Sequence, residues 1–410
     1  MNEAISLNAA DRIGARLVRD AIWSGDRCNW LGDAMEFSES RWQVVHKSFG
    51  PDLYSGTSGI ALFLAFLFDA TKDDIYKKAA EGAVSCAVSQ LDRYQISTDF
   101  GFYSGLTGIA YALTEVGRCL NSDAIIEKGL EILEKMPKQP ALQQTWDVVS
   151  GSAGVVPALL RLYETYRKDL FLEQAVQHGD ALITGANCGN EGWSWKTIPN
   201  DGGRNLTGFS HGTAGIAWAF SELHRKSSEP RFLQAAQGAL RYERHWYDAR
   251  QENWPDFRST DAHGQTAFSC AWCHGAPGIG LSRARLSQIL SDEMCRAEAE
   301  AGTRTTTKLL HSAMQSRDGN YSLCHGNFGN AETLLYASDV LSSPALMETV
   351  WEIAAEANLR FNEGRNPWPC GVLNGGETPG LMLGLAGIGY FYLRMHDRKT
   401  VPSILMVLPQ

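Results

Sequence analysis

One short pattern recurs seven times along this chain: Gly-x-x-Gly followed by an apolar run. It stands at Gly56-Thr-Ser-Gly59, Gly105-Leu-Thr-Gly108, Gly151-Ser-Ala-Gly154 and Gly212-Thr-Ala-Gly215. It returns at Gly275-Ala-Pro-Gly278, Gly326-Asn-Phe-Gly329 and Gly384-Leu-Ala-Gly387. Successive first glycines lie 49, 46, 61, 63, 51 and 58 residues apart. With 40 glycines in 410 residues a single pair carries no information, whereas seven evenly spread pairs define an internal repeat. A repeat that ties the whole chain together overrides the two-domain default for this length and implies one domain over 1–410.

Each glycine pair opens a stretch such as Ile60-Ala-Leu-Phe-Leu-Ala-Phe-Leu-Phe68 or Ile216-Ala-Trp-Ala-Phe-Ser-Glu-Leu223. These are apolar on nearly all sides, as expected of helices buried by neighbours all round. Between them lie amphipathic stretches such as Ile75-Tyr-Lys-Lys-Ala-Ala-Glu-Gly-Ala-Val84 and Phe171-Leu-Glu-Gln-Ala-Val-Gln-His178, whose charges recur on one face. No period-2 stretch is long enough to indicate a sheet. The expectation is all-α: an α/α toroid of seven inner and seven outer helices, with the glycine turns at one end. An open helical solenoid is the alternative, but no apolar helix shows an obvious capping pair at either end. Helix N-termini crowding around an axis need close backbone approach and free φ/ψ, which glycine supplies. Their dipoles and free N–H groups are then expected to face a shared funnel.

Aligned on the first glycine, the repeats expose two informative columns. Immediately before it stand Ser55, Ser104, Ser150, His211, His274, His325 and Leu383. One position earlier stand Tyr54, Tyr103, Val149, Ser210, Cys273, Cys324 and Met382. A closed ring would bring three histidines and two cysteines together. Two thiolates and an imidazole suit zinc, and Cys273, Cys324 and His325 supply three ligands, with a fourth position for water or substrate. Cys270 could instead complete a closed Cys₃His cage, and the cysteines could simply pack. His274 shares the register of His325 and could replace it, though it suits a supporting position better. His211 lacks an adjacent cysteine and reads as a general acid/base. Asp147 could orient that histidine or cap a helix.

Nine cysteines without a small-scaffold pattern favour metal or catalytic roles over disulfides. A net charge of −9 with no basic cluster argues against nucleic acid or anionic lipid as partner. Neither a membrane-length apolar run nor a signal-peptide core is present, so the expected location is cytoplasmic.

Trp146-Asp-Val-Val-Ser-Gly-Ser-Ala-Gly154, Gly208-Phe-Ser-His-Gly-Thr-Ala-Gly-Ile216, Trp272-Cys-His-Gly-Ala-Pro-Gly-Ile279 and Leu323-Cys-His-Gly-Asn-Phe-Gly329 together resemble the lanthionine synthetase C-like cyclases. The resemblance covers essentially the whole chain. It implies an α/α toroid with one zinc on Cys273, Cys324 and His325, and Asp147 with His211 as the catalytic pair. Cys28-Asn-Trp-Leu-Gly32 and Asn253-Trp-Pro-Asp-Phe-Arg258 are similar to the cyclase half of class II lanthipeptide synthetases. That flavour implies a dehydratase, separate or fused, as a further partner. The 46-residue step between repeats two and three leaves no room for the small inserted domain of nisin-type cyclases.

The implied reaction adds cysteine thiols of a dehydrated precursor peptide to dehydroalanine or dehydrobutyrine, closing thioether rings. Three other readings share the residues: glutathione addition to dehydrated residues, a prenyltransferase-like zinc-thiolate transfer, and a binding scaffold with structural zinc.

Overall fold

The computed structural model describes residues 3–38, 41–137, 145–198, 203–260 and 266–409. Each glycine pair opens a helix: α2 (Thr57–Thr71), α4 (Leu106–Leu120), α6 (Ser152–Tyr166), α8 (Thr213–Ser227), α10 (Ala276–Leu290), α12 (Asn327–Val340) and α14 (Leu385–His396). Seven more alternate with them: α1 (Glu3–Arg19), α3 (Asp74–Val88), α5 (Asp123–Glu134), α7 (Asp169–Thr184), α9 (Pro230–His245), α11 (Glu293–Ser316) and α13 (Pro344–Ala357). The first set is buried nearly all round; in α2 every residue from Thr57 to Leu67 is buried. The second set buries one face only, as its charge pattern requires. The inner helices touch in cyclic order and α14 returns to α2, while α1 packs on α14 to close the outer layer.

A circuit of backbone hydrogen bonds closes the inner ring. Tyr54 N donates to Tyr103 O, Tyr103 N to Val149 O, Val148 N to Ser210 O, and Ser210 N to Cys273 O. Cys273 N then donates to Cys324 O, Cys324 N to Met382 O, and Met382 N back to Tyr54 O, all at 2.8–3.3 Å. Apart from Val148, which stands beside Val149, these residues are the column two places before each first glycine, so the repeat register is also a spatial register. An open solenoid could not make the last bond.

The glycines serve close approach more than conformational freedom. A Cβ on the second glycine of each pair would stand 1.6–2.3 Å from the carbonyl oxygen six residues earlier, closest at Gly108 against Phe102. Of the first glycines, only Gly275 has a positive φ, +83°. The expected free N–H groups are not free either. The first helical N–H of each inner helix is taken by a carbonyl seven residues earlier, as in Thr57 N to Gly50 O and Asn327 N to Asn320 O. Turn five is again the exception, where Asn253 Oδ1 takes Ala276 N at 2.7 Å.

Four two-stranded antiparallel hairpins depart from the sheet-free expectation: β1–β2 (Ile22–Ser24 with Arg27–Asn29), β3–β4 (Leu31–Ser38 with Arg41–Ser48), β5–β6 (Asn187–Gly189 with Gly192–Ser194) and β7–β8 (Asp256–Thr260 with Thr266–Ala267). The longest, β3–β4, leaves Phe37 and Trp42 more than 60% exposed. β1, β4 and β5 are mostly exposed and the partly buried strands β2 and β6 are only three residues long, so little enforces clean alternation in the sequence. Indoles follow three outer helices and cap them: Trp30 Nε1 donates to Leu17 O, Trp195 Nε1 to Leu182 O and Trp254 Nε1 to Glu243 O. Among the described residues no helix is long and apolar enough to cross a membrane.

A buried dyad inside the ring sets an acid limit on stability. Ser152 Oγ, at the start of α6, meets His178 Nδ1 of α7 at 2.9 Å, and burial pushes the imidazole down to about 3. Between its ordinary value near 6.5 and that lowered one, the unfolded chain holds a proton that the native chain refuses. His178's contribution is therefore whole above pH 6.5 and erodes as pH falls, by up to about 1.4 kcal/mol per pH unit. Thermal melting at pH 7 and pH 4.5 should show a smaller acid-induced drop for His178→Gln than for the wild type. Equal drops would remove His178 as the cause.

Candidate functional site

Turns four, five and six place His211, Cys273–His274 and Cys324–His325 side by side, because Ser210, Cys273 and Cys324 are successive links of the closing circuit. The two thiols stand within hydrogen-bond reach of each other. As donor, Cys273 is held well above the usual thiol range, by the bond to Cys324 and then by burial. Cys324, accepting from Cys273 and from the Tyr54 hydroxyl, is held below it against burial. A proton in this pair therefore resides on Cys273.

His325 directs Nε2 at the Gly371 carbonyl, 2.8 Å away. A carbonyl only accepts, so Nε2 carries the hydrogen and Nδ1 keeps its lone pair. The charge His325 can carry acts on Cys273, which stands one turn away in the closing circuit. A cavity of about 500 Å³ opens against His325, lined also by Trp368, Cys370, Gly371 and Glu377. Among the described residues no three His, Cys, Asp or Glu side chains converge closely enough to hold a metal as they stand. The donor chemistry, two thiols and an imidazole nitrogen with a free lone pair, nonetheless fits zinc. The second nitrogen of His325 already has the carbonyl partner that metal-binding histidines commonly have.

His274 does not mirror His325. The flipped Gly275 redirects its peptide, and the imidazole is buried, stacked on His211 with ring centroids 5.8 Å apart. The Thr207 backbone stands near, but neither ring nitrogen meets a described partner in hydrogen-bonding geometry. Burial, with the neighbouring Arg258 charge, pushes this imidazole down to about 3. Cys270 Sγ accepts from Asn253 Nδ2 at 3.6 Å and is not among the groups that act on either thiol.

Asp147 combines both roles read from the sequence. One carboxylate oxygen accepts Ser150 N at 2.7 Å, closing the turn before α6, where Gly151 is the N-cap. The other meets His211 Nδ1 at 2.5 Å. Asp52 makes the same turn with Ser55 N in repeat one, but no histidine faces it in that repeat. With a carboxylate on Nδ1, that nitrogen carries the hydrogen and Nε2 of His211 is left with its lone pair. The half-buried imidazole can therefore take or give a proton at Nε2.

Sequence reasoning passed over one cation. Arg258 on β7 bears electrostatically on Cys273, Cys324 and His274. Its motif was visible in Asn253-Trp-Pro-Asp-Phe-Arg258, but it lies outside the aligned columns.

With this geometry described, comparison with known proteins is direct. The family model for lanthionine synthetase C-like protein matches residues 47–406. The chain belongs to the lanthionine synthetase C-like family. A lacticin 481/lactococcin biosynthesis protein, LcnDR2, of Lactococcus lactis subsp. lactis is 24% identical over 404 residues, covering 93% of this chain. The chain spans 40% of that relative's length. Among solved structures, nisin cyclase superposes with a TM-score of 0.61 at 22% identity, over 86% of this chain and 90% of that one. A family 76 glycoside hydrolase from a bovine Bacteroides thetaiotaomicron strain superposes with a TM-score of 0.53 at 11% identity, over 97% of this chain and 79% of its own. The same architecture is thus found in a glycoside hydrolase, so the helical ring by itself assigns no reaction.

Proposed function

We propose that the chain is a zinc-dependent peptide cyclase, forming (methyl)lanthionine rings by adding cysteine thiols to dehydroalanine or dehydrobutyrine in a precursor peptide. The observation that carries the reading is the placement of an apposed thiol pair, a carbonyl-anchored imidazole and an Asp–His pair on adjacent turns of one ring. Family membership supports it. In this reading Cys273, Cys324 and His325 would hold the zinc and leave room for a further ligand, water or the substrate sulfur. Bound there, zinc supplies a Lewis acid that makes a thiol available as thiolate at neutral pH.

The chain's own residues do the rest. Burial around the turns excludes water, and the ring mouth positions one part of the peptide against another, which is the main demand of an intramolecular closure. His211, held by Asp147, delivers the proton that the α-carbon needs after sulfur has bonded to the β-carbon. Asp147 restricts the ring to the tautomer that leaves Nε2 to act. His274, stacked on His211 and buried, supports that ring and holds no metal. The dehydrated peptide comes from a dehydratase, separate or fused, and the chain works in the cytoplasm, where its nine free cysteines stay reduced.

The test incubates the protein with a dehydrated, cysteine-bearing peptide and counts free thiols by alkylation, because cyclisation leaves the mass unchanged. Loss of one alkylatable thiol per ring, dependent on zinc, is the expected result. Thiols that persist until glutathione is added, and adducts that carry glutathione's mass, would replace cyclisation with intermolecular addition.

A further inference from the structure

Asp256 and Arg258 form a cluster beside the thiols that none of the roles above uses. Asp256 is almost wholly buried and its carboxylate is fully engaged. Oδ1 accepts Arg258 Nε at 2.9 Å and Arg258 N at 3.1 Å. Oδ2 accepts Arg258 Nη2 at 2.7 Å and Ser269 Oγ at 2.6 Å. Against burial, the Arg258 bond keeps this carboxyl well below the usual carboxylate range. The guanidinium is thus gripped along one edge, while its side chain remains 37% exposed. Among the described residues Nη1 meets no acceptor, and Nη2 keeps a second hydrogen.

Turn five is built to deliver this cluster. Asn253 spans from the strand's approach to the turn, with Nδ2 on Ser269 O at 3.1 Å and Oδ1 on Ala276 N at 2.7 Å. Ser269, three residues before the Trp272-Cys273 link, closes on Asp256 itself. Two independent contacts therefore fix β7 against the turn that carries Cys273. The charge of Arg258 is felt at both thiols and at His274, which stacks on His211. The guanidinium is thereby held within electrostatic reach of both thiols and of the imidazole that stacks on the proton donor.

The addition step has a charge to place there. The sulfur forms a bond to the β-carbon, the Cα=Cβ pair moves to the bond between Cα and the carbonyl carbon, and the carbonyl pair comes to rest on oxygen. A proton then reaches Cα as the oxygen returns its pair, balancing the proton that the thiol lost. Between these events the amide oxygen is an anion and needs a preorganised donor. We propose that the free edge of Arg258 binds that oxygen, which makes Arg258 a catalytic residue and Asp256 the residue that positions it. This rests on the cyclase reading.

The test compares wild type, Arg258→Gln and Arg258→Lys for zinc content, melting temperature, KM and kcat of thiol consumption with the dehydrated peptide. Arg258→Gln is expected to keep zinc and fold, hold KM within about threefold, and lose kcat by roughly 10²–10³-fold, as for removal of an oxyanion donor. Arg258→Lys should lie between, and added guanidinium ion should restore part of the glutamine variant's rate. Equal rates for the two variants without guanidinium rescue would overturn the proposal, as would wild-type kcat in Arg258→Gln. A wild-type protein that consumes no thiol would sink the cyclase reading and this proposal together. A wild type that cyclises while Arg258→Gln matches it sinks the proposal alone.

Discussion

A His211→Asn variant is expected to retain its zinc and to close thioether rings roughly 10²–10⁴-fold more slowly, the usual cost of losing a general acid/base. Its Nδ1 is occupied by Asp147 at 2.5 Å, and no cysteine accompanies it on its turn. Asparagine replaces the ring without adding charge to a half-buried position. Asp147→Asn should show a milder defect of the same kind, because its amide oxygen can still accept Ser150 N while the carboxylate on His211 is lost. Asp147→Ala would confuse the two, since it also removes the acceptor that shapes the turn. Zinc content and thiol-consumption rate, measured together on each variant, decide the matter. Zinc lost along with activity would make His211 a ligand, and full activity in both variants would leave the proton to solvent.

Replacing both cysteines, Cys273→Ala with Cys324→Ala, is expected to remove the single zinc outright after dialysis. The remaining imidazole cannot hold the ion alone. At pH 7 only about 3% of a thiol with a pKa near 8.5 is thiolate, so the variant loses on the order of 30-fold from that term alone. Its residual rate should climb as pH rises toward 8.5, while the wild type stays comparatively flat. Stoichiometric zinc in the double variant, by elemental analysis, would move the metal site elsewhere. A pH profile identical to wild type would deny zinc any part in activating the thiol.

The toroid was legible because a repeat of seven buried helices leaves few ways to bury them, and the even spacing of Gly56 through Gly384 announces it. Once the ring closes, equal register becomes equal position. That is why the sequence column Tyr54, Tyr103, Val149, Ser210, Cys273, Cys324 and Met382 reappears as the hydrogen-bonded circuit, with repeat three sharing its link between Val148 and Val149. The approach of Cys273 to Cys324 follows from that register alone. So does the expectation that His211 and Asp147, 64 residues apart, could meet.

Departures from the register were not legible. His274 and His325 occupy the same column, yet one is buried against His211 and the other faces Gly371, because Gly275 alone among the first glycines adopts a positive φ. A glycine permits that flip without announcing it. Arg258 comes within electrostatic reach of the thiols on a short strand whose anchors, Asn253 and Ser269, act by side-chain hydrogen bonds that no periodicity encodes. The hairpins escaped notice because alternation is enforced only over strands long enough to bury one face; β4 is long but exposed, and β2 and β6 are partly buried but three residues long. Sequence determines this protein wherever burial repeats with a period. Where a single turn breaks the period, the three-dimensional competition for hydrogen-bond partners decides which side chain faces the site.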